Sequence, residues 1–279
     1  MPEYDSQAIN VARDYYNSSD ADNFYFHVWG GEDLHLGIYL HEDDTIFTAS
    51  RRTVDRMAAK LDGLGRGTGV IDVGGGYGGS MRRVVKSHAC NAVVLNLSET
   101  ENQRDRAMNA QQGVADRIDV VDGAFENLPH DDASFEFAWS EDAILHSPDR
   151  QKVLREVHRV LKPGGQFVFT DPMQTDDCPE GVLDPIYKRI NLQSLASPGF
   201  YRQAAQAVGF EVSSYEDLAI HLPRHYQAVH DEMVRRDAQI SQLVSRAYLD
   251  NMKVGLEHWV NGGRSGYLTW GMFHLVKRP

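Results

Sequence analysis

The sequence predicts an α/β fold, a mostly parallel sheet with helices on both faces. Three observations predict it. Short apolar strands alternate with segments of helical apolar spacing from residue 48 to residue 215. A run of glycines, Gly74-Gly75-Gly76-Tyr77-Gly78-Gly79, follows the first strand at once. The alternation is interrupted over the mostly helical stretch Leu218–Gly263, after which one final strand remains.

The first forty residues are rich in aromatics: Tyr15, Tyr16, Phe24, Tyr25, Phe26, Trp29 and Tyr39. They read as a helix followed by a structured loop through Trp29-Gly30-Gly31-Glu32. Val54, Met57, Ala58 and Leu61 share one helical face over Thr48–Leu61. Gly69–Val73 is a short apolar strand, and Met81, Val84 and Val85 mark the helix after the glycine turn. Ala92–Leu95 is a second buried strand. Ser98 and Glu101 have the spacing of a capping box at the next helix start. Ile118–Val121 is a third strand, and Phe135, Phe137 and Trp139 alternate along a fourth. Ser147 and Pro148 suit the N-cap and first turn of a helix. That helix puts Val153, Leu154, Val157, Val160 and Leu161 on one face and ends at Lys162-Pro163-Gly164-Gly165. Phe167–Thr170 is the fifth strand, and Pro172–Phe200 is irregular with a helical centre. A helix over Phe200–Val208, a strand over Phe210–Tyr215 and the last strand, Tyr267–Val276, complete the pattern.

Composition narrows the function classes. The 279 residues suit one α/β domain with insertions. The formal charge of -12 argues against nucleic acid or an anionic membrane as partner. No apolar run approaches the ~20 residues of a membrane span, and the polar N-terminus does not read as a secretory signal. Cys90 and Cys178, the two cysteines, form neither a zinc site nor a disulfide framework, so a reduced cytoplasmic setting is expected. Acidic residues are abundant and lysine is scarce beside arginine, which suits a salt-adapted surface and an ordinary acidic protein equally.

The segment VIDVGGGYGG places a glycine turn between a strand and a helix start. Glycine permits positive φ and close backbone approach to a ligand. A helix N-terminus offers free N–H groups that hold a phosphate or the carboxylate of an amino-acid tail. Spacing alone leaves two ligands open. Gly74, Gly76 and Gly79 fit the dinucleotide pattern, while Asp72 with Gly74, Gly76 and Gly78 fits the methyltransferase pattern. A strand holding an NAD ribose should end in an acid, and here the second strand ends in Asn96. Leu128-Pro129 precedes the strand ending Trp139-Ser140, and Lys162-Pro163-Gly164-Gly165 stands before the fifth strand. As a set, over residues 45 to 215, these features resemble the class I methyltransferases, which use S-adenosylmethionine.

That resemblance implies a Rossmann-like domain with a seven-stranded, mostly parallel sheet and an antiparallel last strand. It implies that Asp72, Gly74, Gly76 and Gly78 surround the methionine part of the cofactor. Asn96 and Leu97 would lie at the ribose, with an amide where the family usually has an acid. Ala124 and Phe125 would lie by the adenine, and Ser140 and Glu141 under the sulfonium.

A closer resemblance lies outside the cofactor core. Trp139-Ser140-Glu141-Asp142-Ala143-Ile144-Leu145-His146-Ser147 resembles the matching stretch of the sarcosine/dimethylglycine N-methyltransferases. So do the segment from Phe24-Tyr25 to Tyr39 and the tail from Trp259 to Trp270-Gly271. It implies sarcosine or dimethylglycine as substrate and glycine betaine, an osmoprotectant, as product. The expected division is a cap over residues 1–47, a core over 48–217 and 264–279, and a helical insertion over 218–263 that contributes to the substrate pocket. A quaternary ammonium product suits an aromatic box, for which Tyr25, Trp29, Tyr201, Tyr226 and Trp270 are candidates, each of which could equally serve the core. Arg189, Arg202 and Arg224 are candidates for the substrate carboxylate, with a surface salt bridge as the competing role. Asp142 or His146 could accept the amine proton, although Asp142 could also cap a helix. No metal is required, and the chain is expected as a monomer or homodimer. The rival readings are methylation of another small amine or a lipid headgroup such as phosphoethanolamine, a nicotinamide oxidoreductase, and a protein that binds the cofactor for regulation only.

Overall fold

The structure, a computed structural model, describes residues 7–189 and 192–278. The N-terminal segment forms α1 (Gln7–Tyr16) and α2 (Ser19–Phe24), a wide turn over Tyr25–Trp29, an extended strap, and α3 (Ile46–Ala58). The alternating region follows as β1 (Gly69–Val73), α4 (Gly79–His88), β2 (Asn91–Asn96), α5 (Glu99–Gln111), β3 (Ile118–Asp122) and β4 (Phe135–Glu141). A single 3-10 turn, Ile144–His146, precedes α6 (Arg150–Val160) and β5 (Leu161–Gln174). Then come α7 (Asp184–Arg189), α8 (Pro198–Ala207), β6 (Phe210–Asp217), α9 (His221–Arg235), α10 (Asp237–Ile240), α11 (Arg246–Arg264) and β7 (Leu268–Lys277).

The seven strands lie in the order β3-β2-β1-β4-β5-β7-β6. β1 to β5 pair in parallel, and β7 runs antiparallel to both β5 and β6. The order reverses between β1 and β4, which opens a crevice at the carboxyl ends of these strands. β1 is buried along most of its length, as a strand with helices on both faces must be.

Three local expectations change. The N-cap of α6 is Asp149, whose side chain accepts from the Lys152 N–H at 2.9 Å. The Ser147 hydroxyl instead donates to Glu126 at 2.6 Å. The fifth strand runs from Leu161 to Gln174 because it finds partners on both sides, β4 and then β7. The Lys162–Gly165 stretch falls inside it, beside an irregularity in the pairing with β4. Ser98 caps α5 by accepting from the Glu101 N–H at 3.2 Å, but the Glu101 carboxylate turns to Asn96 rather than back to Ser98.

The N-terminal segment and the α9–α11 region are not independent lobes. Phe24, Val28, Trp29 and Leu36 lie in one apolar cluster with Tyr226, Met252, Leu256 and Trp259. Among the described residues, no helix is long and apolar enough to cross a membrane.

The strap is held at a close approach. A Cβ on Gly37 would lie 2.5 Å from Ala49 Cβ and 2.7 Å from the Ala49 carbonyl carbon of α3. On its other side the Gly37 N–H donates to His225 Nδ1 of α9 at 3.0 Å. Gly37→Ala should therefore cost about 1–3 kcal/mol through overpacking, and each kcal/mol lowers Tm by about 2–4 °C in a chain of this size. An unchanged Tm in calorimetry would show that the strap can move aside freely.

Candidate active site

A cavity opens at the carboxyl ends of β1, β2 and β4, roofed by the N-terminal segment. Its middle is the glycine turn. Gly74 has φ +87°, and a Cβ there would overlap the side chain of Ala143. Gly76 has φ +53°, and a Cβ there would press on Leu34 of the strap at 3.0 Å. Both positions require glycine, because the backbone itself is the cavity wall.

One end of the cavity is lined by Glu32, Asp33, His35, Ser80 and Glu141, with Asp72 beside the glycine turn. Asp72 Oδ1 and Glu141 Oε1 are buried without a hydrogen-bond partner, while Asp33 Oδ2 pairs with Arg51 Nε at 3.0 Å. Buried acceptors of this kind are costly unless a donor completes them. Burial raises the pKa values of Asp72 and Glu141, Asp72 well above the carboxylate range. His35 is the counter-charge. Burial alone would lower its pKa, but the Glu141 and Asp33 carboxylates raise it to about 10. Its Nε2 lies 3.5 Å from Glu141 and 3.8 Å from Asp33. An ammonium group fits the orphaned oxygens, and an anionic tail fits the imidazolium. Among the described residues, no group of three or more metal-binding side chains is gathered for a metal ion.

The first turn of α4 reaches the cavity through Gly79 and Ser80, with Asp33 close by: a Cβ on Gly79 would meet Asp33 Oδ1 and the Glu32 carbonyl. Asp33 and Glu32 are held by Arg51, at 3.0 and 2.5 Å.

The other end of the cavity is lined by Asn96, Leu97, Ser98, Glu101 and Phe125. Towards the cap, Tyr16, Tyr25, Leu34, Asp142 and His146 form a wall shared with a second cavity. This second space is walled by Tyr25, Trp29, Tyr226 and Trp259 and closed by Met252 and Leu256. Tyr226 and Trp259 stack at 4.8 Å, and Trp29 meets Tyr226 edge-on at 5.7 Å. The buried Trp29 indole Nε1 has no hydrogen-bond partner.

Asp142 and His146 face both cavities. Asp142 has φ +53°, an uncommon conformation for a residue with a side chain. Its Oδ2 accepts from the Leu36 N–H at 2.6 Å and its Oδ1 from Trp270 Nε1 at 2.8 Å. His146 Nε2 lies 3.0 Å from the Tyr16 hydroxyl. Burial, and the nearby Arg150 charge, push the His146 pKa down to about 4, so the ring is neutral at neutral pH.

The structure gathers most of the residues expected from the sequence and sets others aside. Asp72, Gly74, Gly76, Asn96, Leu97, Phe125 and Glu141 line the first cavity, and Trp29 and Tyr226 line the second. Tyr25, Asp142 and His146 line both. Gly78 does not: a Cβ there would strike Asp105 of α5, so packing demands this glycine. Ser140 is turned inward, its hydroxyl donating to the Val73 carbonyl at 2.8 Å. Ala124 is buried and lines neither cavity. Tyr201 is buried with its hydroxyl on Asp171 at 2.6 Å, and Asp171 in turn accepts from the Leu145 N–H. Tyr201 thus braces the turn that carries His146 and touches neither cavity. Trp270 acts on Asp142 and likewise lines neither cavity. Arg202 lies over the Tyr215 ring and Arg224 over the Tyr39 ring, both as surface residues. Arg189 ends α7, and its side chain lies outside the described residues. Sequence reasoning missed Tyr16, Asp33, His35, Glu101 and Trp259 as lining residues. For Trp259 the helical period reads as core, and for Glu101 the capping-box spacing masked a second role.

His225 stands behind the strap with its pKa lowered to about 3 by burial and by the His35 charge. Its folded pKa lies below the ordinary histidine value of 6.5, so the unfolded chain binds the extra proton first. Stability from this group is full above pH 6.5 and falls as pH drops towards 3, by up to about 1.4 kcal/mol per pH unit. His225→Asn should flatten the denaturation midpoint against pH between about 6 and 4. An unaltered slope would mean another group carries it.

Comparison with known proteins places these features. Residues 71–169 match a methyltransferase domain model. The chain is 54% identical to a sarcosine/dimethylglycine N-methyltransferase of Halorhodospira halochloris, over 98% of both chains. It is 47% identical to a dimethylglycine N-methyltransferase of Parasynechococcus marenigrum, over 97% of this chain and 96% of that one. A crystal structure from Galdieria sulphuraria, assigned as a sarcosine dimethylglycine methyltransferase, superposes with TM-score 0.90 at 41% identity, over 95% of this chain and 99% of that one.

Proposed function

Because the chain belongs to the sarcosine/dimethylglycine N-methyltransferases, enzymes that draw on S-adenosylmethionine, we propose that it methylates the nitrogen of sarcosine and of dimethylglycine, the latter giving glycine betaine. The observation that carries this reading is the shared wall. The acid-lined cavity opens through Tyr16, Tyr25, Asp142 and His146 onto a small space lined by aromatic faces. A sulfonium in the first cavity and an amine in the second would meet there.

The first cavity fits the cofactor. Its orphaned carboxylate oxygens suit the ammonium, His35 suits the carboxylate, and the glycine turn leaves room for the chain between them. When bound, S-adenosylmethionine supplies an electrophilic methyl group on sulfur. Residues 1–47 and 218–263 act together as the cap over a core of 48–217 and 264–279. In the second cavity, the Trp29 N–H is the free donor for the substrate carboxylate. Tyr25, Trp29, Tyr226 and Trp259 offer π faces to the cation that forms on nitrogen.

An aliphatic amine titrates near ~10, by analogy with lysine, and must shed a proton before it attacks. Asp142 has both oxygens engaged, by Leu36 and Trp270; burial raises its pKa and these donors oppose that, so its part is to place a carboxylate beside the developing cation, which favours its charged form further. His146, neutral through burial, serves as a transient relay for the proton through the Tyr16 hydroxyl on its Nε2 and passes it on, since burial disfavours its charged form. Holding amine and methyl in line, with water excluded, supplies most of the acceleration.

Phosphoethanolamine and lipid headgroups fit less well. Among the described residues lining the second cavity there is no Lys or Arg to pair with a phosphate.

Turnover with glycine, sarcosine, dimethylglycine and phosphoethanolamine side by side tests the reading: sarcosine and dimethylglycine should be methylated, and turnover of phosphoethanolamine alone would overturn it. His146→Gln should lower kcat by about 100-fold, the range of a lost general base, with little change in KM; near-normal turnover removes it from the proton step. Trp29→Phe keeps an aromatic face but loses the N–H along with the second ring of the indole. It should raise KM for dimethylglycine by about tenfold, the scale of one hydrogen bond to a charged group, and an unchanged KM would place the carboxylate elsewhere.

A further inference from the structure

The class I pattern places an acid at the end of β2 for the ribose hydroxyls, and this chain has Asn96 there. We propose that Glu101, supplied by the first turn of α5, is the carboxylate that holds the ribose diol of the cofactor, with Asn96 as the residue that positions it. The Asn96 Nδ2 donates to Glu101 Oε2 at 2.8 Å, and both side chains line the cofactor cavity beside Leu97 and Phe125.

The state of Glu101 is otherwise hard to account for. It is 4% exposed, yet among the described residues it has no ion pair. The nearest guanidinium, Arg104, is turned to Asp22, with Nε 3.0 Å from Oδ1. A capping box would have used this carboxylate on the Ser98 N–H, but Glu101 points to β2 instead. An acid buried on one neutral donor is costly, and burial pushes the Glu101 pKa up to about 7 despite that hydrogen bond. A vicinal diol supplies two O–H donors to one carboxylate, which is what this side chain lacks. The amide of Asn96 carries no charge, and with its N–H on Glu101 it orients the acid instead of replacing it.

The test is a binding cycle read by calorimetry, independent of turnover. Wild type, Glu101→Gln and Glu101→Asp are titrated with S-adenosylhomocysteine and with its analogue lacking both ribose hydroxyls. In wild type, removing the diol should weaken binding by at least thirtyfold. In Glu101→Gln the same removal should cost less than threefold, because the charged acceptor is already gone. Glu101→Asp keeps the charge and withdraws it by one methylene, and it should also lose most of the discrimination. It serves as the second reading if the Gln variant folds poorly. A diol penalty equal to wild type in the variants overturns the assignment.

Discussion

The site depends on one close approach. At the end of β1 the backbone turns so sharply that Gly74 takes φ +87° beneath Ala143, while its N–H stays on the Leu95 carbonyl of β2 at 2.7 Å. No side chain fits there, so the cofactor cavity is walled by bare backbone. The sheet order reverses at the same place, between β1 and β4, and opens the crevice there. The strap bearing Leu34 and His35 then closes over the turn, and Gly37 lets it pass against α3.

Closure turns charge into the second organising constraint. Asp33, Asp72, Glu141 and Asp142 line one cavity together, with the His35 imidazolium and the Arg51 guanidinium set against them. Such a pocket favours a ligand that brings its own positive charge. Arg51 and Arg82 hold Glu32 and Asp33 from behind, so the acids are fixed in place before any ligand arrives. In the neighbouring space the burden shifts from charged groups to aromatic faces. A zwitterion that gains a methyl and keeps its cation is well matched by rings and one indole N–H. The two environments meet at Tyr16, Asp142 and His146, where burial raises the pKa of Asp142 against the hydrogen bonds from Leu36 and Trp270 that favour its carboxylate, and burial holds His146 neutral.

The cap is a shared construction. Trp29 from the N-terminal segment and Tyr226 and Trp259 from α9 and α11 lie far apart along the chain, yet they pack as one wall. Tyr201 and Trp270 serve the same site from one layer back, through Asp171 and Asp142. Their aromatic character suggested a place in the box, whereas their polar atoms are what the site uses.

By itself the sequence determined what local physics governs. Strand and helix periods, the glycine turn after β1 and the resemblance in the Trp139–Ser147 stretch were enough for the fold and the cofactor, and they pointed to the carboxyl ends of the strands, where the acid-lined cavity opens. Those features are short-range: alternating apolar residues face one core, and a turn needing positive φ declares itself through glycine. Only the tertiary structure decided which of several equivalent side chains face the cavities. Glu101 spells a capping box and serves β2, Gly78 yields to Asp105, and Tyr16 meets His146 across 130 positions of chain. Periodicity sets the face of an element, but the orientation of a polar group depends on partners that only the packed fold brings within hydrogen-bonding reach.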